Sequence, residues 1–171
     1  MATNINSIMS TLLKSDTVKG IAKANGIDAS DVSSILSSAL PALLGGASKQ
    51  STSAKTAESF ASALESHASK DVSNIASFIS NIDVKDGAKI VGHLLGKNND
   101  STANKIAKST GVDAKTVAKV MAMAAPILMS LIGNKTQADK KKAKDSTTAS
   151  IASAILSNVD VGSLLTNILK K

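Results

Sequence analysis

Residues 106–114, IAKSTGVDA, decide the predicted fold because they describe a tight corner between two helices. Gly111 is the residue type that commonly closes a helix in the left-handed conformation. Asp113 follows it at a position where an aspartate caps the next helix. From Ala114 the apolar spacing predicts one long helix, which ends at Ile132.

Residues 21–29, IAKANGIDA, carry almost the same string in the first half of the chain. In the same register Pro41 matches Pro126, and each proline lies inside a predicted helix. A proline costs about 3 kcal/mol in a helix interior, so two matched prolines indicate that both halves need the same kink. The sequence therefore predicts two tandem repeats, at 1–82 and 83–171.

Capping residues, glycines and apolar residues spaced by three and four predict about ten helices, five in each repeat. Their approximate bounds are 5–14, 17–24, 29–44, 56–69, 71–80, 86–95, 101–110, 114–132, 147–157 and from 160 or 162 to the end. The lysine-rich segment 134–145 has no counterpart in the first repeat and is predicted to be an inserted linker. We expect one compact all-α unit packed around a pseudo-two-fold axis, with a helix-turn-helix in each repeat.

The third and eighth helices are the predicted centre of this unit, and we expect them to pack against each other. Residues 120–132 are apolar on nearly every side, so they need cover on most sides. This run is too short to cross a bilayer, which takes about 20 residues, and a buried core helix is the preferred interpretation. The alternative is that each repeat folds alone and the excess apolar surface forms a homo-oligomer.

The composition narrows the possible partners. The 20 basic residues are all lysine, the formal net charge is +7, and there is no cysteine for a disulfide or a thiolate metal site. Phe60 and Phe78 are the only aromatic residues, so stacking platforms for single-stranded nucleic acid are missing. The N-terminus has no basic region followed by a long apolar run, so we expect a cytoplasmic protein without a transmembrane segment.

The sequence offers no constellation for catalysis. His67 and His93 are the only histidines, and we expect them to cap or pack rather than to act as bases or ligands. The candidate helix-capping aspartates are Asp16, Asp28, Asp71, Asp83, Asp113 and Asp160. No nucleophile elbow or phosphate-binding loop is present. We therefore predict no catalytic, cofactor-binding or metal-binding residues, and no enzyme activity.

Lysines near the second corner suggest a contact with nucleic acid. Residues 106–117 resemble the helix-turn-helix of lac-repressor-type regulators, whose second helix enters the DNA major groove. In this interpretation Ala114, Lys115 and Lys119 face bases, and two lysines of the preceding helix face phosphates. The candidate nucleic-acid-binding residues are Lys105, Lys108, Lys115, Lys119, Lys140, Lys141 and Lys142.

Three observations weigh against that interpretation. Asp113 places a negative charge at the start of the would-be recognition helix, and that helix continues into a segment that must be buried. In the first repeat, small and hydroxyl side chains stand where the second repeat has Lys115 and Lys119. Lysines 140–142 are most simply a solvated linker, with a weak contact to nucleic acid or anionic lipid as the alternative.

Residues 86–96, DGAKIVGHLLG, resemble the bacterial YidB-like family of uncharacterised proteins, and residues 63–67, ALESH, add to the likeness. Residues 106–129 are similar to a second block of that family. The resemblance covers most of the chain. It implies an all-helical, homeodomain-like arrangement, and it brings no functional residue with it.

The favoured function is a non-enzymatic helical scaffold that acts by protein–protein contact or by self-association, without a cofactor. The reasons are the repeat, the surplus of apolar helix surface and the lack of a reactive constellation. One alternative is a weak nucleic-acid-binding protein that uses the helix-turn-helix of the second repeat. Another is a protein that binds an apolar ligand or a lipid surface.

Overall fold

The computed structural model describes residues 5–68 and 72–142, which form α-helices joined by short turns and contain no strand. In chain order the helices are α1 (Ile5–Leu12), α2 (Ser15–Asn25), α3 (Ala29–Thr52), α4 (Ala57–Ala68), α5 (Ile75–Ser80), α6 (Val84–Leu95), α7 (Asn99–Thr110) and α8 (Ala114–Lys142), with a short 3-10 helix (Gly96–Asn98) before α7. The predicted all-α class is confirmed. The helices predicted after residue 142, with their cap Asp160, and the cap Asp71 lie outside the described residues.

Helix α8 lies at the centre of the hydrophobic core. Every residue from Val120 to Ser130 is buried, as the apolar pattern of this segment predicts. Helices α6 and α4 cover α8 most extensively, and α3, α7, α1 and α2 pack around the rest of it. One continuous core therefore contains side chains from both halves of the chain, from Ile8 to Ile132.

The structure does not support two equivalent units around the paired helices α3 and α8. Helices α3 and α8 do contact each other, but α6 and α4 are the main neighbours of α8. Helix α6 packs along α8, whereas among the described residues α1, its counterpart in the first repeat, makes no comparable contact with α3. The prediction treated the core helices as each other's best partners, but residues 120–130 of α8 are buried on every side and accept several neighbours.

Three glycines bring helix backbones into direct contact. Gly46 of α3 packs on the carbonyl oxygen of Leu94, Gly87 of α6 on that of Ala122, and Gly133 of α8 on that of Leu64. A Cβ atom at Gly87 would lie 2.7 Å from the carbonyl carbon of Ala122 and closer still to its oxygen. These crossings therefore require residues without a side chain, and α6 takes part in two of them.

Two predicted helix ends are wrong for this reason. The sequence stops the third helix at residues 45–46 and the eighth before Gly133, but α3 continues to Thr52 and α8 to Lys142. Glycine costs roughly 1 kcal/mol in a helix, and the close helix contacts at Gly46 and Gly133 offset that cost. The predicted linker 134–145 is therefore helical as far as residue 142.

The extension of α8 is stabilised within its own turns. The Lys135 ammonium lies 2.9 Å from the Asp139 carboxylate, one helical turn further on. The Thr136 hydroxyl donates to the carbonyl oxygen of Ile132 at 2.8 Å, in a buried position. These contacts keep the polar end of α8 helical where the sequence pattern alone suggests a loop.

By length and composition alone, Ala114–Asp139 of α8 is long and apolar enough to cross a membrane, because the helix extends on both sides of the run 120–132 on which the prediction was based. Its most apolar window has a mean hydropathy of 1.7, and 78% of that window is buried inside the fold. The same property is found in core helices of soluble proteins. In this structure the apolar surface of α8 faces its neighbouring helices.

Three of the predicted aspartate caps have different outcomes in the structure. Asp83 accepts hydrogen bonds from the backbone N–H groups of Lys85 and Asp86, so it caps α6 as predicted. Asp28 occupies the N-cap position of α3 but makes no side-chain capping bond. Asp16 does not cap α2, because that helix begins one residue earlier, at Ser15.

Candidate nucleic-acid interface

The turn between α7 and α8 forms the corner that the sequence predicts. Gly111 has φ +76° and closes α7, and its N–H donates to the carbonyl oxygen of Ala107. A residue with a side chain is strained in this left-handed conformation, so glycine fits the position. Helix α8 begins three residues later, at Ala114. Residues 105–119 are called the α7–α8 corner below.

The inner side of the corner is fixed by the core. Ile106 of α7 is buried, and so are Val117 and Val120 of α8. These side chains lie on the faces that point away from solvent. The outer faces of the two helices are therefore held in a constant position by packing behind them.

Four of the predicted lysines lie on the outer side of this corner. Lys105 and Lys108 are exposed one turn apart on α7, and Lys115 and Lys119 are exposed one turn apart on α8. No described acidic residue forms an ion pair with any of them. The corner therefore presents four unpaired positive charges on two helices that are joined by a short turn.

The structure does not bring Lys140, Lys141 and Lys142 to the corner. They form the last turn of α8, whose first turn belongs to the corner. A helix rises about 1.5 Å per residue, so about 38 Å separates Lys115 from Lys140 along α8. The predicted set of seven lysines thus divides between the two ends of one helix.

Asp113 is the negative charge of the corner. Its carboxylate accepts from the Thr116 backbone N–H at 3.0 Å and from the Thr116 hydroxyl at 2.6 Å. These hydrogen bonds lower the pKa of Asp113 below its ordinary value of 3.8, and the bond from the Thr116 hydroxyl has the larger effect. The carboxylate is exposed and stays ionised at neutral pH, so it repels a phosphate that approaches the start of α8.

Ala118 is a corner residue that the sequence interpretation missed. It is exposed and lies on the outer face of α8 beside Lys115 and Lys119. The spacing of three from Lys115 was the available signal. A small side chain here lets another molecule approach the helix closely.

A second basic surface lies on α2. Lys19 and Lys23 are one turn apart and line a groove of about 540 Å³, together with Asp16, Gly20 and residues 73–76. The sequence interpretation missed it because the loop before α5 is distant along the chain. Asp16 brings a negative charge into the groove, so its net field is weaker than that of the corner.

The two histidines differ in their surroundings. His67 Nδ1 lies 2.8 Å from the carbonyl oxygen of Ala63, and its Nε2 is buried without a hydrogen-bond partner. His93 is exposed in the last turn of α6, so the expectation that its side chain packs is wrong, and the expectation that it caps stays a prediction. Among residues 5–68 and 72–142, no group of three or more His, Cys, Asp or Glu side chains could hold a metal ion.

The comparisons with known proteins give one match. The model of a family described as "Bacterial protein of unknown function (DUF937)" matches residues 7–135, and the YidB-like family that the sequence resembles is this family. Searches among curated proteins and among solved structures each gave no match.

Proposed function

Since the chain belongs to DUF937, a family of bacterial proteins of unknown function, its own residues are the basis on which we propose that it binds nucleic acid, without catalysis, through the α7–α8 corner. The observation that carries the proposal is the group of four exposed, unpaired lysines on two helices held rigid by the core. Lysines bind nucleic acid by neutralising phosphates and releasing counterions, which needs no sequence-specific surface.

A scaffold that works through apolar contact has less support. That hypothesis requires exposed apolar helix surface for a partner to bind. The apolar side chains of α8 are instead buried in the core of the protein. In the described part of the chain, Val84 is the only large hydrophobic residue that is exposed. The α7–α8 corner is therefore distinguished by its positive charge and not by exposed apolar area. For this reason we prefer nucleic-acid binding to self-association.

Fluorescence anisotropy on a labelled duplex of about 20 base pairs, at about 50 mM salt where phosphate contacts are strong, tests the proposal. The wild-type chain should bind, and Lys115→Gln with Lys119→Gln should weaken binding about tenfold or more, because two phosphate contacts are lost. The matched control is Lys49→Gln with Lys55→Gln, which removes the same charge from exposed positions outside the corner.

Two results would overturn the proposal. One is no binding by the wild-type chain at this salt concentration. The other is an equal loss of affinity in both double variants, since that outcome assigns binding to net charge alone and not to the corner. Circular dichroism of each variant checks that the helices remain intact.

Replacing Asp113 with asparagine should raise the affinity for the duplex. Asparagine keeps an oxygen that can accept from the Thr116 N–H, so the cap of α8 is retained while the negative charge is removed. We expect a gain of about 3-fold at about 50 mM salt, since one repulsive charge near a phosphate is relieved. Asp83→Asn, at the capped start of α6, is the control, and an equal gain there would contradict a local effect.

Several interpretations stay predictions. We propose that the α2–α3 and α7–α8 corners arose by duplication, supported by the left-handed glycines Gly26 and Gly111 and by their similar sequences. We also propose that each corner has homeodomain-like geometry. A cytoplasmic location is a separate proposal. Self-association would appear in light scattering as a mass that rises with concentration. A lipid-surface role would appear as sedimentation with anionic vesicles.

A further inference from the structure

Between Ala114 and Ser130, only the first two turns of α8 are open to a partner. Lys115, Ala118 and Lys119 are exposed, whereas every residue from Val120 to Ser130 is buried. A partner at this corner therefore meets the exposed face of a helix end, which carries two lysines and a small residue between them. Lys105 and Lys108 of α7 lie beside it, behind the turn.

An exposed helix end fits one form of nucleic acid better than the others. The major groove of B-form DNA is about 12 Å wide and about 8.5 Å deep, and it admits an α-helix. The major groove of A-form RNA is deep and too narrow for side chains to read. Helices that read DNA contact base edges with their N-terminal residues, so two exposed turns are sufficient.

The lack of exposed aromatic side chains in the described part of the chain disfavours single-stranded nucleic acid as the ligand. Proteins hold single-stranded nucleic acid by stacking bases on aromatic side chains. Phe60 and Phe78 are the only aromatic residues of the chain, the first buried and the second half-buried. Neither belongs to the corner, so a single strand would gain only contacts with lysines.

We infer that the preferred ligand of the corner is B-form duplex DNA, with the first two turns of α8 in the major groove. This inference rests on the proposed function. Lys115 and Lys119 contact the phosphates that border the groove, and Lys105 and Lys108 contact the adjacent phosphates. The chain has no arginine for bidentate contacts to guanine, so binding depends little on base sequence.

A competition between three ligands of one sequence tests the inference: duplex DNA, duplex RNA and single-stranded DNA, each at about 50 mM salt. Duplex DNA should bind about tenfold tighter than either of the others, because only its major groove admits the start of α8. Equal affinities, or a preference for either of the other two, would overturn the inference and leave the proposed function standing. No binding to any ligand would overturn the proposed function itself.

A steric variant separates groove insertion from charge. Ala118→Leu adds bulk between Lys115 and Lys119 without changing the charge, so it should weaken duplex DNA binding about fivefold and leave single-strand binding unchanged. Ala88→Leu makes the same exchange at an exposed position of α6 and should change neither. If Ala118→Leu binds duplex DNA as the wild type does, α8 does not enter the groove.

Discussion

Gly87→Ala is expected to lower the free energy of unfolding by about 3 kcal/mol or more. The added Cβ would lie 2.7 Å from the carbonyl carbon of Ala122, and backbone atoms on both helices cannot turn away as a side chain can. Helix α6 would have to move off α8, and Val91 and Leu94 would lose part of their contacts in the core. Urea denaturation followed by circular dichroism measures the change.

Gly92→Ala on the same helix is the control. Nothing lies within 4 Å of a Cβ atom at Gly92, so the exchange only replaces glycine by a better helix former. It should stabilise the protein by roughly 0.5–1 kcal/mol. The two variants make the same chemical change on one helix and should move stability in opposite directions. A Gly87→Ala variant as stable as the wild type would show that α6 and α8 do not cross at backbone distance.

Raising the salt from about 50 mM to about 200 mM should weaken binding of the wild-type chain to duplex DNA about 150-fold. Each phosphate contact contributes about −0.9 to the slope of log K against log salt, so four corner lysines give about −3.6. Lys115→Gln with Lys119→Gln should halve that slope to about −1.8. Anisotropy titrations at four or five salt concentrations measure both slopes.

The slope of log K against log salt is more informative than the affinity alone, because it reports the number of phosphate contacts. A net charge of +7 that acts diffusely gives a slope that changes little when any two lysines are neutralised. The Lys49→Gln, Lys55→Gln variant should therefore keep the wild-type slope. If both double variants retain a slope near −3.6, the phosphates are bound elsewhere on the chain.

The sequence predicts the corner well because its signals are local. Gly111 must adopt a left-handed conformation, and Asp113 caps the helix that follows, so neighbouring residues suffice to place the turn. Burial of α8 is also predictable, since a run without charged residues from Val120 to Ile132 has to be covered. Exposure of Lys115 and Lys119 follows from the same helical spacing.

The partners of α8 could not be predicted in this way. Gly46 and Gly133 look like helix ends in the sequence, because a local pattern cannot show that another backbone lies against them. The pairing of α8 with α4 and α6 depends on those crossings. For the candidate site, the sequence could not show that Lys140 lies far from the corner. That separation follows from the continuation of α8 past Gly133 as a helix.

Helix α6 is anchored near both of its ends, by Leu94 against Gly46 and by Gly87 against Ala122. Anchoring at two points prevents a rod from sliding along its neighbours or rolling about its axis. Tolerance to amino-acid replacement should therefore be unevenly distributed along α6, generous on the solvent side at Lys85 and Lys89 and very low where the two backbones touch. A saturation library of α6 would display this as a sharp periodic pattern of accepted residues.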